Sequence, residues 1–234
     1  MASRDPVLPA ASAAVASTRT RHEQLEAHLA ALRSCRRCPR MHPPVITPRA
    51  VLGAVYLVGQ APGSREGVLG RPFAWTAGRT LFRWFAGIGV GEETLRAHAY
   101  ISAACRCFPG KLPQGGDRVP ARAEIQACSS WMRAELELLQ PRLVITIGRV
   151  ASACFLPSRP LAQTIGVLHR GMAFGYAVDC LPLPHPSGAS TWWQRAPGSL
   201  LLAQALGSLA EHPQWRALAA IESRAAPTPS PALS

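Results

Sequence analysis

The chain has 234 residues, with 25 Lys and Arg against 13 Asp and Glu, giving a formal charge of +12 at pH 7. Its 48% hydrophobic content excludes a wholly disordered chain, and no stretch reaches the roughly 20 apolar residues that a bilayer span needs. The length suits one sizeable core, and a positive excess of this size points to a polyanion such as nucleic acid, or else to a solvated arginine-rich surface.

Residues 1–18 are rich in Ala, Ser and Pro without a period and read as a flexible tail, as do residues 225–234. One domain is expected between them, over 19–224. The opening MASRDPVLPAASAAVAS has no compact apolar run behind a basic start, so no secretory signal is expected and the reducing cytoplasm is the expected compartment. Seven cysteines there read as metal ligands or buried thiols rather than disulfides.

The spacing of Leu25, Leu29 and Leu32 predicts a helix from Thr20 to Arg33, followed by SCRRCPRM. AVYLVG, residues 54–59, reads as a buried strand, and a Gly/Pro-rich loop runs from Gln60 to Thr76. A helix from Ala77 carries Leu81, Trp84 and Phe85, and AYISAA, residues 99–104, is a second strand. Pro120 to Leu139 reads as an amphipathic helix with Ile125, Cys128, Met132, Leu136 and Leu139 on one face. LVITIG, residues 143–148, is a third strand leading into a helix at Arg149. A fourth strand near Val178–Leu183 leads to PHPSGAS, a helix over Ser199–Leu209 follows, and a shorter one comes after Pro213. Alternating strands and helices predict an α/β fold: a three-layer α/β/α sandwich around a central, mostly parallel four-stranded sheet. Ligands bind beyond the carboxyl ends of such strands. The unusual segments GQAPG, CRCFPGK and HPSGAS follow strands one, two and four.

GQAPGSREGVLGRPF, residues 59–73, has glycines that permit close backbone approach and an aromatic, Phe73, placed to stack on a flat ring or to fill the core. Neither GxGxxG nor GxxxxGK[ST] is present, which disfavours phosphate cradling of those kinds. In HPSGAS, residues 185–190, Pro184 and Pro186 hold the backbone around His185, whose neutral imidazole suits hydrogen bonding to an oxygen that gains charge. Cys35 and Cys38 form a C-x2-C, with Cys105, Cys107 and Cys128 further on; four thiolates suit either a [4Fe–4S] cluster or tetrahedral zinc.

GQAPG with GRPF eleven residues after its first glycine, together with HPSGAS, resembles the uracil-DNA glycosylase superfamily, and in particular its iron–sulfur (family 4) branch, whose first motif reads GEAPG…GRPF. The resemblance covers roughly residues 20–210. It implies a monofunctional DNA-repair glycosylase that flips uracil, or another deaminated base, out of DNA and hydrolyses its N-glycosidic bond. It implies a monomer acting on DNA with no membrane partner. It assigns catalysis to His185, Glu66 and Gln60, and base contacts to Phe73, Gly59, Ala61, Ser102 and Ala103. DNA contacts fall to Ser187, Gly188, Ser190, Trp192 and Arg195, with one of Trp192 and Trp193 expected in the core. By the same resemblance Cys35, Cys38, Cys107 and Cys128 hold a [4Fe–4S] cluster, zinc being the alternative and Cys105 the rival to Cys107.

Two departures stand out. Gln60 replaces the family's glutamate, and an amide orients water but does not deprotonate it. Glu66 is the only carboxylate between Gly59 and Phe73, available to a water or to an ion pair with Arg65 or Arg71. The chain also has no asparagine, so the family's base-reading asparagine is absent and Ala103 stands near its place. Relaxed base specificity is therefore expected of the glycosylase; the alternative is a catalytically weak relative that binds damaged or single-stranded DNA without cutting. The insert Gly110–Arg118 reads as a second DNA-contact loop or a solvated one.

Overall fold

The computed structural model describes residues 10–173, 175–188 and 190–225. Five strands form one sheet: β1 (Val55–Gly59), β2 (Tyr100–Ala103), β3 (Leu143–Ile147), β4 (His169–Ala173) and β5 (Tyr176–Leu183), in the order β2-β1-β3-β5-β4. The first four positions in that order are parallel, and β4 lies antiparallel to β5 on the edge. The α/β sandwich is as expected, with five strands rather than four. β4, HRGMA, lacks an apolar alternation because an edge strand buries little; its Arg170 lies 3.8 Å from Asp179 of β5.

The helices are α1 (Ala10–Arg33), α2 (Ser64–Leu69), α3 (Thr76–Ala86), α4 (Glu92–His98), α5 (Arg122–Leu139), α6 (Gly148–Ser152), α7 (Leu161–Thr164), α8 (Gly198–Glu211) and α9 (Pro213–Ala225). α1 begins ten residues before the predicted Thr20, within the expected tail. Its first turns are alanine-rich, and alanine favours helix without any apolar stripe. Residues 1–9 and 226–234 of the two expected tails lie outside the described residues. α9 is a full 13-residue helix, because Trp215 is wholly buried, donates its indole N–H to the Ile88 carbonyl at 3.0 Å and packs on Phe85.

α3, α4, α8 and α9 cover one face of the sheet, where Leu81, Phe85, Leu95, Leu202 and Leu218 meet Leu57, Ile101, Ile145 and Leu183. α1, α5 and α6 cover the other, where Leu25, Leu29, Met132, Leu136 and Ala151 meet Tyr56, Val58, Tyr100 and Val144. No described helix is long and apolar enough to cross a membrane.

A buried charge ties the second face together. Glu135 of α5 has no solvent exposure. It accepts from Arg106 Nη2 at 2.5 Å, from the Tyr56 hydroxyl at 2.6 Å and from Ser102 at 3.4 Å, while His28 Nε2 lies 3.5 Å away. Burial alone would push this carboxyl up, but the Arg106 charge and the hydrogen bonds outweigh it and hold it at about 2. Glu135→Ala leaves Arg106 buried without its counter-charge. It is expected to cost about 3–5 kcal/mol of stability, read as a lower urea midpoint at unchanged m-value.

Candidate active site

The carboxyl ends of β1, β2 and β5 open into a cavity of about 620 Å³. Its walls come from the Gly59–Glu66 loop, Phe73, the end of β2 at Ala103, the insert at Lys111 and Asp117, and His185 with Ser187 and Ser190. Phe73 and His185, from opposite ends of the sequence, line the same space, as the topology predicts.

Phe73 has a left-handed backbone, φ 53°. That conformation is held from two sides. Arg96, buried in α4, donates to the Pro72 and Phe73 carbonyls at 3.1 Å each, and its Nε pairs with Glu92 at 2.8 Å. The Phe73 carbonyl also lies against Gly78 of α3, where any Cβ would collide with it. Gly59 gives the ring its seat, since a Cβ there would come within 2.6 Å of Phe73 Cζ.

His185 is half-buried. The Ser187 backbone N–H donates to its Nδ1 at 3.2 Å, so the neutral ring carries its proton on Nε2. Burial lowers the His185 pKa, partly offset by the charge of Asp117. Gly148, at φ +82°, lets the β3–α6 turn pass beneath the ring, a Cβ there lying 3.2 Å from His185 Cβ.

Glu66 lines the cavity, but its Oε2 accepts from the Gly63 N–H at 2.7 Å and caps α2. Burial raises its pKa, with the Gly63 bond opposing and Asp117 adding to the rise. It pairs with neither Arg65 nor Arg71: Arg65 lies over the Trp75 ring and Arg71 reaches Glu92. Gln60 and Ala61 line the cavity, and Gly59 and Ala103 sit side by side in register at its floor. Ser102 borders it too, but its hydroxyl donates to Glu135 on the α5 side of the sheet. Arg106 is buried against Glu135 and does not line this cavity. Gly188 and Arg195 are exposed outside it, and both Trp192 and Trp193 pack on the core, Trp193 edge-on to Trp84. Asp117 was not singled out by spacing; the available signal was that it is the only carboxylate in the insert.

A second cavity, about 200 Å³, is lined by Cys35, Cys38, Cys105, Cys107 and Cys128 with Arg36, Arg37 and Arg106. Burial and the neighbouring charges of Cys128 and Cys35 push Cys38 and Cys107 upward. Cys128 is lowered to about 6 by a hydrogen bond from Cys105 and by Arg106. The thiols surround the cavity without closing on a single ion among the described residues. Arg106 Nε and Nη1 are buried with no partner.

The sequence profile described as the uracil DNA glycosylase superfamily matches residues 52–210. The chain belongs to this superfamily. A type-4 uracil-DNA glycosylase of Saccharolobus solfataricus is 27% identical over 141 residues, covering 58% of this chain and 61% of the relative. Another, of Pyrobaculum aerophilum, is 28% identical, covering 57% and 66%. A type-5 uracil-DNA glycosylase of Thermus thermophilus is 31% identical, covering 56% and 71%. The chain thus spans less than two-thirds of the length of the two type-4 relatives. The superfamily match takes in the cavity residues from Gly59 to Ser190 and leaves Cys35 and Cys38 outside it.

The half-buried imidazole gives a pH signature. The folded state resists protonating His185 more than the unfolded chain does, so the unfolded state binds more protons as the pH falls below about 6.5. Stability is therefore expected to fall from pH 6.5 toward the lowered folded value. His185→Gln is expected to remove that part of the loss, measured by urea unfolding at pH 7.5 and 5.5.

Proposed function

We propose that this protein is a monofunctional DNA-repair glycosylase that takes uracil, and by relaxed edge reading other deaminated bases, out of DNA and hydrolyses the N-glycosidic bond. The observation that carries it is one cavity holding both an aromatic face, Phe73, and an imidazole whose proton is fixed on Nε2, His185. Phe73 stacks on the flipped ring. As the C1′–N1 bond lengthens, charge builds on the pyrimidine O2, and the His185 Nε2–H donates to it. Gln60 orients water in the first loop. Ser187 and Ser190 at the cavity rim contact phosphates, and the +12 charge favours the polyanion. With no asparagine in the chain and the Ser102 hydroxyl turned to Glu135, the base edge meets backbone groups around Ala103 and the Gln60 amide. Fewer side-chain readers mean weaker rejection of other bases. The reaction takes place in the cytoplasm, on a single copy of the chain.

The second cavity suits a [4Fe–4S] cluster on Cys35, Cys38, Cys107 and Cys128. A cubane takes one thiolate per iron around a volume, whereas zinc needs four ligands about one point. The unpartnered Arg106 N–H groups fit the sulfur acceptors and negative charge of such a cluster. Cys105 and Cys107 both line the cavity, and register with the family favours Cys107 as the ligand. The cluster when bound cross-links the α1 end, the β2 loop and α5 and takes no part in the hydrolysis.

On a uracil oligonucleotide, His185→Ala is expected to lower single-turnover release about 10²–10³-fold while sparing DNA binding. Phe73→Ala is expected to cost about 1–3 kcal/mol of affinity for the flipped base. No base released by the wild-type chain from uracil, hypoxanthine or xanthine substrates overturns the proposal. Purified protein is expected to be brown with broad absorption near ~400 nm, lost in Cys128→Ser; a colourless, zinc-containing protein overturns the cluster assignment.

A further inference from the structure

We infer that Asp117, carried by the insert between β2 and α5, is the carboxylate that accepts the proton of the attacking water. The inference rests on the glycosylase reading above and adds the base that the first loop lacks.

Three residues with a side-chain carbonyl or carboxyl line the cavity: Gln60, Glu66 and Asp117. Gln60 is an amide with no proton affinity to offer. Glu66 has one oxygen committed to the Gly63 N–H at 2.7 Å and is buried in the first turn of α2. Asp117 is exposed at the cavity wall, and no hydrogen bond or ion pair engages its carboxylate among the described residues. It reaches over the first loop at Gly63, where there is no side chain: a Cβ there would lie 3.2 Å from Asp117 Oδ2. It lines the same cavity as Glu66 and His185, and its charge opposes the lowering of the His185 pKa by burial.

The insert is built to hold this position. Lys111 and Asp117 form an antiparallel bridge, Leu112 N–H donates to the Gly116 carbonyl at 3.0 Å and Arg118 N–H to the Gly110 carbonyl at 2.8 Å. The next residue, Arg118, forks onto both Glu124 oxygens at 2.8 and 2.9 Å and donates to the Pro109 carbonyl at 2.7 Å. A carboxylate on a clamped hairpin is pre-positioned in a way that one on a free loop is not.

In the reaction the water oxygen bonds to C1′ as the C1′–N1 pair leaves with the base. The water proton passes to Asp117, and the departing base anion is held by the His185 Nε2–H and then protonated from solvent. The carboxylate also offsets positive charge on the sugar.

The test is single-turnover base release by the full chain, with affinity measured separately on a non-cleavable 2′-fluoro-arabino-uridine oligonucleotide. Asp117→Asn keeps the shape and is expected to lose about 10²-fold or more in rate, with affinity unchanged. Asp117→Ala is expected to lose as much and to recover at least partly with added formate, which replaces a missing base but does not repair a distorted loop. Release by Asp117→Asn at the wild-type rate overturns the inference while leaving the glycosylase reading intact. So does an Asp117→Ala loss that formate leaves unchanged and that is matched by lost affinity. A wild-type chain that releases no base overturns both.

Discussion

Glu135 sits where two helices and two strands need to agree. Its carboxylate receives Tyr56 from β1, Ser102 from β2, Arg106 from the segment just after β2, and lies beside His28 of α1. An ion of this kind is unfavourable in an apolar interior unless its partners are all in place. Satisfying it fixes how α5 lies over the sheet and where the chain goes on leaving β2. That exit matters twice, because one side of it leads to the cysteine cavity and the other to the floor of the larger cavity at Ala103.

The larger cavity depends on backbone approaching side chain closely. Gly59 and Gly78 leave room for the ring and carbonyl of Phe73, and Gly148 leaves room for His185. Arg96 then holds the strained Phe73 backbone by its carbonyls. The aromatic and the imidazole are therefore set by packing beneath them, as a pre-organised site requires.

Much of this was legible in the residues. Buried parallel strands read as short apolar runs, and β1, β2, β3 and β5 all fall where those runs lie. The convergence of Phe73 and His185 was legible from the strand ends together with the resemblance of their two motifs to one family. β4 was not legible, since an edge strand of His, Arg and Gly carries no apolar period. The early start of α1 was hidden for the opposite reason, as alanine supports helix without marking a face. The turning of Ser102 toward Glu135 is a tertiary fact: which way that side chain faces depends on a partner 33 positions away. Asp117 was hidden by its setting, a Gly-rich insert whose fold depends on Arg118 and Glu124 rather than on any local pattern.

Arg118 joins more than the insert. Beyond Glu124 and Pro109, its Nη2 reaches the Arg40 carbonyl at 3.4 Å and Met41 Sδ at 3.7 Å, in the turn that follows Cys38. Glu124 in turn belongs to the helix that presents Cys128. One guanidinium thus rivets the rim of the larger cavity to two walls of the cysteine chamber. The two chambers are bonded to each other outside the sheet, through Arg118 as well as through the chain that runs from Cys107 into the insert.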